Sequence, residues 1–439
     1  MDWWWTLTII MGCLLVVLAS GLPVAFSFLT INLVGAYVLW GGFGGFHQLI
    51  DGIYSSVTMF ALVPVPLFVL MGEVLLHTRL AFKAIDVVDI WMGRLPGRLC
   101  LVTLGASTLF SCLSGSSLGT TAMLGSMMLP EMERRGYKPA ISVGSCMSGG
   151  LAMIIPPSAL AVILASTARV SVGKVLIGGI LPGVFMAFLY ASYIVGRCWF
   201  SPGLAPAYEP KAIPLRDKLR ETMIYLVPLT GVIFVVVGLM FLGMATPTES
   251  AALGASTVFI LAAIYGRLNW QVIQKSLIGT MKITLMMLMI LTGSLAFSQM
   301  MAFTGATSGL VQSVSDVDLP PMVMMLVMQA VILILGCFME QVSIMMITLP
   351  IFMPMVKALG FSDVWFALMM LVNLEIGLKT PPFGLLLFVM RGVAPPSVSM
   401  ADIYRSTTPF VLIDILTIIV MMIFPSLVLF LPEHIVKMP

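Results

Sequence analysis

Five ionisable residues lie inside long apolar stretches of this 439-residue chain: Glu249, Glu340, Glu375, Lys379 and Asp414, with Glu73 near the end of another stretch. A charge in hydrocarbon is costly, and where one is kept it marks an ion or substrate path or a paired counter-charge. Glu375 and Lys379 are four apart, so they share one face if that stretch is helical. Two readings of Lys379 stay open at this point. It could be half of a structural ion pair that braces a broken helix, or an ammonium that meets a substrate carboxylate. Four interruptions rich in Gly, Ser and Pro surround these residues: 114–121 (SGSSLGTT), 148–158 (SGGLAMIIPPS), 336–343 (GCFMEQVS) and 373–384 (NLEIGLKTPPFG). Unwound backbone at membrane depth is tolerated only where protein buries it or it lines a watery cavity. Its carbonyls and hydroxyls suit Na⁺, and the freed N–H groups of half-helix N-termini suit an anion. The plainer alternative is that small residues let helices pack closely. As two symmetric pairs, these segments are expected to form a binding site.

Other chemistry is poorly supplied. The six cysteines have no CxxC spacing and read as small buried hydrophobes. His47, His77 and His434 are scattered, and the 37 methionines read as adaptable apolar packing. No phosphate-binding G-x-x-x-x-G-K-[ST] run occurs, and no soluble stretch could house an ATPase, so transport would draw on an ion gradient or on nothing. An intramembrane enzyme would need a polar catalytic set at one depth, and no histidine lies mid-span. Opposed hairpins argue against a passive channel.

The elements that position these residues must be membrane helices. The chain is 60% hydrophobic and 9% charged, whereas a soluble domain carries about 25% charged residues. Its apolar stretches reach the roughly 20 residues that span about 30 Å of hydrocarbon, without the alternation of barrel strands. The fold class expected is an all-α polytopic membrane protein. The start has no basic n-region, so no cleaved signal is expected, and Trp3, Trp4 and Trp5 suit the interface. The net charge of +3 points to no nucleic acid partner.

Spans are predicted at 4–19, 23–41 and 58–77, a long block at 99–129, then 140–168 and 175–197. A polar linker at 201–221 precedes 223–244, 248–266, 279–305, a second block at 321–355, 363–390 and 408–432. The order repeats, with 1–200 as one half and 222–439 as the other. Pro23 and Pro247, Pro96 and Pro320, Pro130 and Pro354, and Gly136 and Gly360 share one register of 224, and Pro156-Pro157 matches Pro381-Pro382 one residue later. With the N-terminus outside and both blocks re-entrant, 17 basic residues fall inside. They are Arg79, Lys83, Arg94, Arg98, Arg134, Arg135, Lys138, Arg197, Lys211, Arg216, Lys218, Arg220, Arg267, Lys275, Lys282, Arg391 and Arg405. Only Arg169, Lys174, Lys357 and Lys437 fall outside. Both termini are then periplasmic, and the halves form an inverted-topology repeat with two re-entrant hairpins.

At its broken segments the chain resembles the large membrane subunit of tripartite ATP-independent periplasmic (TRAP) transporters, over essentially its whole length. The motifs are Pro66–Glu73 (PLFVLMGE), Ser114–Ser117 (SGSS), Leu129–Met132 with Arg135–Tyr137, Ile155–Ser158 (IPPS), Asn373–Gly377 (NLEIG) and Thr380–Pro382 (TPP). The resemblance implies a bacterial inner-membrane protein with an elevator-type fold, a small four-helix membrane partner and a periplasmic substrate-binding protein. It also implies uptake of a small organic acid with Na⁺. By resemblance one sodium site maps onto Ser114, Gly115, Ser117, Gly150, Met153 and Pro156, the other onto Gly336, Gly377, Thr380 and Phe383. Ser116, Ser158, Glu340, Asn373 and Lys379 are the candidates for substrate. Two positions depart from the family pattern: many relatives have Asp-Pro at Glu340-Gln341 and an apolar residue at Lys379. The nearest alternative is a stand-alone carboxylate carrier of the same superfamily, coupled to Na⁺ or H⁺.

Overall fold

The computed structural model describes residues 3–78, 80–93, 95–114, 117–206, 214–316, 320–381 and 384–435. Arg79, Arg94, Gly115, Ser116, Lys211, Pro382, Phe383 and Lys437 therefore lie outside the described residues. Within them the chain is helical and without strands. The first half contains α1 (Trp3–Ala19), α2 (Val24–Leu39), α3 (Phe43–Val57), α4 (Pro64–Thr78), α5 (Leu80–Met92), α6 (Arg98–Ser114), α7 (Ser117–Arg134), α8 (Pro139–Cys146), α9 (Ala159–Thr167) and α10 (Val172–Phe200). The second contains α11 (Leu215–Phe241), α12 (Pro247–Ile264), α13 (Trp270–Phe303), α14 (Ala306–Asp316), α15 (Pro321–Gly336), α16 (Gln341–Ala358), α17 (Asp363–Lys379), α18 (Leu385–Val393), α19 (Met400–Ile423) and α20 (Ser426–Ile435). Among the described residues, seven helices are long and apolar enough to cross a bilayer.

The helix boundaries keep one register across the halves. α7 and α16 start and end 224 positions apart (117 to 341, 134 to 358), and α8 and α17 start 224 apart (139 to 363). Both α7 and α16 carry an internal proline, Pro130 and Pro354. Both stop at a glycine in the left-handed region, Gly136 at φ 81° and Gly360 at φ 76°. There Tyr137 N–H bonds to the Met132 carbonyl at 2.9 Å and Phe361 N–H to the Val356 carbonyl at 3.1 Å, closing the last turn in the same way. The halves differ where prolines differ. The first-half stretch equivalent to α13 is divided into α3 and α4, the latter starting at Pro64, whereas no proline falls in α13. That helix runs unbroken for 34 residues, about 51 Å.

One expectation needs correction, and two helices add to the sequence reading. Residues 43–57, between the predicted spans 23–41 and 58–77, form α3, because their apolar positions recur around interposed Gly, His, Gln and Asp. Within 201–221 helix already begins at Leu215, where α11 starts. The break near Asn373 begins only after Lys379: the stretch to that residue is helical, and Gly377 alone does not unwind it.

α6 and α7 pack on one another on either side of residues 115 and 116, which lie outside the described residues, and α15 packs on α16 across a joint at 337–340; Ser117–Thr121 and Gln341–Ser343 of the expected breaks are helical. Between α8 and α9 the backbone passes through a 3₁₀ turn (Ser148–Gly150), a short helix (Leu151–Ile154) and a non-helical stretch. α17 lies at the centre and is buried on every face, from Val364 to Lys379. α15, α16 and α19 pack around it, while α13 runs along α2, α3, α4 and α16.

Candidate functional site

Side chains from both halves converge on Glu375, which is 1% exposed at the middle of the structure. Its Oε2 accepts hydrogen bonds from Ser117 Oγ at 2.9 Å and Gln341 Nε2 at 3.2 Å. These donors are the first residues of α7 and α16 and occupy the same register, 224 apart. A second equivalent pair meets alongside: Tyr190 of α10 donates its hydroxyl to Asp414 Oδ1 of α19, again 224 apart. Lys379 bridges the two, with Nζ 3.3 Å from Glu375 Oε1 and 3.4 Å from Asp414 Oδ2. Its ammonium also lies 6.0 Å from the Tyr190 ring, which is within cation–π range.

This cluster excludes water and is tightly filled. Lys379 is 1% exposed and Asp414 0%. A Cβ on Gly150 would meet Glu375 Cδ at 2.8 Å and Lys379 Nζ at 2.9 Å, so only glycine fits the 3₁₀ turn here. Gln341 Nε2 also donates to Met153 Sδ at 2.8 Å, tying the short helix to the joint of α15 and α16. On the far side Gly336 faces Gly377, where a Cβ on Gly336 would come within 2.7 Å of the Gly377 Cα. The backbones of α15 and α17 can approach this closely only without side chains.

The structure therefore brings together Ser117, Gly150, Met153, Lys379 and the Gly336–Gly377 contact. Other candidate residues are occupied locally. Asn373 donates to the Gln329 carbonyl at 2.6 Å and to its side-chain oxygen at 2.8 Å, holding α17 to α15. Ser158 caps α9, accepting from Ala161 N at 3.2 Å and donating to the Met153 carbonyl at 2.8 Å. Glu340 caps α16, accepting from the N–H groups of Val342 at 3.0 Å and Ser343 at 3.2 Å, so a carboxylate already sits at this helix N-terminus. Thr380 donates to the Ile376 carbonyl at 2.6 Å, next to Gly377. Ser114 ends α6, and Pro156 lies in the non-helical stretch after Leu151–Ile154. Gly115, Ser116 and Phe383 lie outside the described residues.

Glu249 has a local structural role. It is the third residue of α12 and completes a capping box at the helix's exposed start, accepting from Thr246 N–H at 2.7 Å. Conversely, the importance of Tyr190 and Gln341 escaped the sequence. The register of 224 that relates Tyr190 to Asp414 and Ser117 to Gln341 was the signal that could have found both.

Next to the cluster is a cavity of about 360 Å³. The joints supply Ser117, Glu340 and Ser343 to it, while Val24 of α2, Val69 of α4 and Met287 of α13 close the opposite wall. It carries no basic side chain among its lining residues. Its polar wall is thus built from the paired joints and its apolar wall from the helices around α13.

Comparison with known proteins agrees with this architecture. The C4-dicarboxylate TRAP transporter large permease protein DctM of Pseudomonas aeruginosa is 31% identical over 385 residues, covering 87% of this chain and 88% of that protein. The 2,3-diketo-L-gulonate TRAP transporter large permease protein YiaN of Escherichia coli is 29% identical, covering 96% and 97%. Among solved structures, the YdaH transporter of Alcanivorax borkumensis superposes with a TM-score of 0.63 at 14% identity, over 94% of this chain and 98% of that one, and so shares the fold. The sequence pattern of the family described as tripartite ATP-independent periplasmic transporter, DctM component, matches residues 11–427, and the chain belongs to this family of large membrane permeases.

Proposed function

We infer that this permease imports a small organic acid with Na⁺, by an elevator movement in which the two helix pairs and the broken helices travel as one unit. The observation that carries this is the meeting of equivalent residues. Ser117 and Gln341 share one oxygen of Glu375, and Tyr190 and Asp414 bond to each other. Residues in equal register touch only near an axis that relates the halves. An inverted repeat puts such an axis in the membrane plane, and transporters of this kind bind substrate and ion at the repeat interface. α6–α7 and α15–α16 would then be re-entrant hairpins whose tips meet at that interface. The cavity between the tips and α13 lies where a substrate would pass between the moving unit and its scaffold.

The sodium ligands would be carbonyl and hydroxyl oxygens rather than a cluster of carboxylates. Among the described residues no group of three His, Cys, Asp or Glu could hold a metal. Oxygens of Ser114, Gly115, Ser117, Gly150 and Met153–Pro156 would form one site, and those of Gly336, Gly377, Thr380 and Phe383 the other. The organic acid is supported by the named relatives, which carry C4-dicarboxylates and 2,3-diketo-L-gulonate. We place the protein in a bacterial inner membrane with both termini periplasmic. A small four-helix membrane subunit and a periplasmic binding protein complete the transporter. Uptake of labelled succinate into vesicles, with and without a periplasmic extract, tests this. Uptake should require both a sodium gradient and the extract; uptake without the extract would favour the stand-alone carrier, and no sodium requirement would remove the coupling.

A further inference from the structure

A second and larger cavity, of about 460 Å³, lies further along the same two helices. α13 lends Met287 to the first cavity and Ser298 to the second; α16 lends Ser343 to the first and Lys357 to the second. Between them Ser294 Oγ donates to the Met346 carbonyl at 2.6 Å. Pro350, four residues on, has no N–H to offer that carbonyl, so the serine joins α13 to α16 at this level.

The two cavities have opposite electrostatic character. The first holds the Glu340 carboxylate and no basic residue. The second is lined by Arg169 and Lys357 and by no acid, with Ser55, Ser298 and Gln299 supplying polar groups. Only four basic residues fall on the outer face by the positive-inside distribution, and two of them line this one cavity. Arg169 has a φ of 56°, the single non-glycine residue in the left-handed region among the described residues. It closes the end of α9, where Val170 N–H bonds to the Ala165 carbonyl at 2.8 Å, and this cap fixes the backbone from which Arg169 lines the cavity. Lys357 lies 3.7 Å from Asp363; the lysine side chain is 60% exposed and that of the aspartate 28%, so at this distance the lysine end of the pair stays open to an anion from solvent.

We propose that this cavity is an outer anion vestibule, in which Arg169 and Lys357 receive the carboxylate of the substrate before it moves along α13 and α16 to the hairpin tips. The inner cavity, with its own carboxylate, offers an anion no attraction from outside; the vestibule does. This rests on the reading of the chain as a carboxylate importer and adds the residues that first capture the anion.

The test uses no transport step, so its outcome is separable from the fate of sodium-driven uptake. Ser298→Cys, purified in detergent, is timed against an anionic and a cationic methanethiosulfonate reagent of similar size, with the Ser298 protein correcting for native cysteines. The anionic reagent should react faster, on the order of tenfold at low salt, and the preference should shrink as salt rises. In Ser298→Cys/Arg169→Gln/Lys357→Gln it should vanish. Succinate should slow modification when both cations are present and not when they are absent. Equal rates for the two reagents, or a preference that survives the double neutralisation, would overturn the vestibule. A rate preference without protection by succinate would overturn its role in substrate capture.

Discussion

Lys379→Gln is the most informative single substitution, because the cluster holds two carboxylates and one ammonium without solvent. At 3.3 and 3.4 Å, with an effective dielectric of about 20, each carboxylate contact is worth about 5 kcal/mol before desolvation. Burying the ammonium offsets much of that sum. What remains on removing the lysine is the cost of two uncompensated buried carboxylates, about 3–5 kcal/mol. Glu375→Gln behaves differently. It leaves Lys379 opposite Asp414 as a balanced pair, and the new side chain still offers an oxygen to Ser117 and Gln341, so we expect a loss of about 0–2 kcal/mol. Lys379→Gln/Glu375→Gln should recover part of the loss of Lys379→Gln, since one buried carboxylate remains and Tyr190 still donates to it. Thermal unfolding in detergent, read by tryptophan fluorescence, ranks the three. Stability should fall in the order Glu375→Gln, double variant, Lys379→Gln. If Lys379→Gln unfolds like the parent but binds substrate weakly, the reasoning fails and Lys379 belongs to the substrate.

Two further outcomes follow from backbone contacts and hydroxyls. Gly336→Ala should destabilise by about 1–3 kcal/mol, because its Cβ would press on the Gly377 backbone at 2.7 Å, which cannot rotate away. Gly12→Ala, with nothing within 4 Å, serves as the control in the same detergent melt and should be neutral or slightly stabilising. Ser114→Ala and Thr380→Ala each remove a hydroxyl that could replace part of a sodium hydration shell, so each should raise the Na⁺ concentration giving half-maximal succinate uptake at unchanged protein abundance. Wild-type sodium dependence in both would return these segments to simple packing.

The helices and their breaks were legible because hydrocarbon imposes a length and because Gly, Ser and Pro punctuate it. The 224-residue register was legible too, through prolines and glycines that end or bend helices in both halves, such as Pro130 with Pro354 and Gly136 with Gly360. Spacing also exposed the Glu375–Lys379 pair, since four residues on a helix fix a shared face. The rest of the cluster depends on tertiary contact. Nothing local to Tyr190 or Asp414 says that they touch, and Gln341 reads as an ordinary helix start until it is found on Glu375. Residues 373–379 read as unwound because Gly377 and the neighbouring polar groups break the apolar pattern. Complete burial and the Asn373–Gln329 bonds instead keep them helical. α3 was missed for a related reason: a helix that is half polar and rich in glycine resembles a loop when only its hydropathy is read.

The central claim is that two halves of opposite orientation meet at Glu375, and labelling of single cysteines tests it most directly. In sequence, Arg94→Cys and Lys138→Cys lie on either side of the α6–α7 pair, whereas Ser313→Cys precedes α15 and Lys357→Cys sits in the last turn of α16. In intact cells and inverted vesicles, a membrane-impermeant maleimide should reach the first two only from the cytoplasm and the last two only from outside. Labelling of Arg94→Cys and Lys138→Cys from opposite faces would make the first pair a through-span and contradict the inverted repeat.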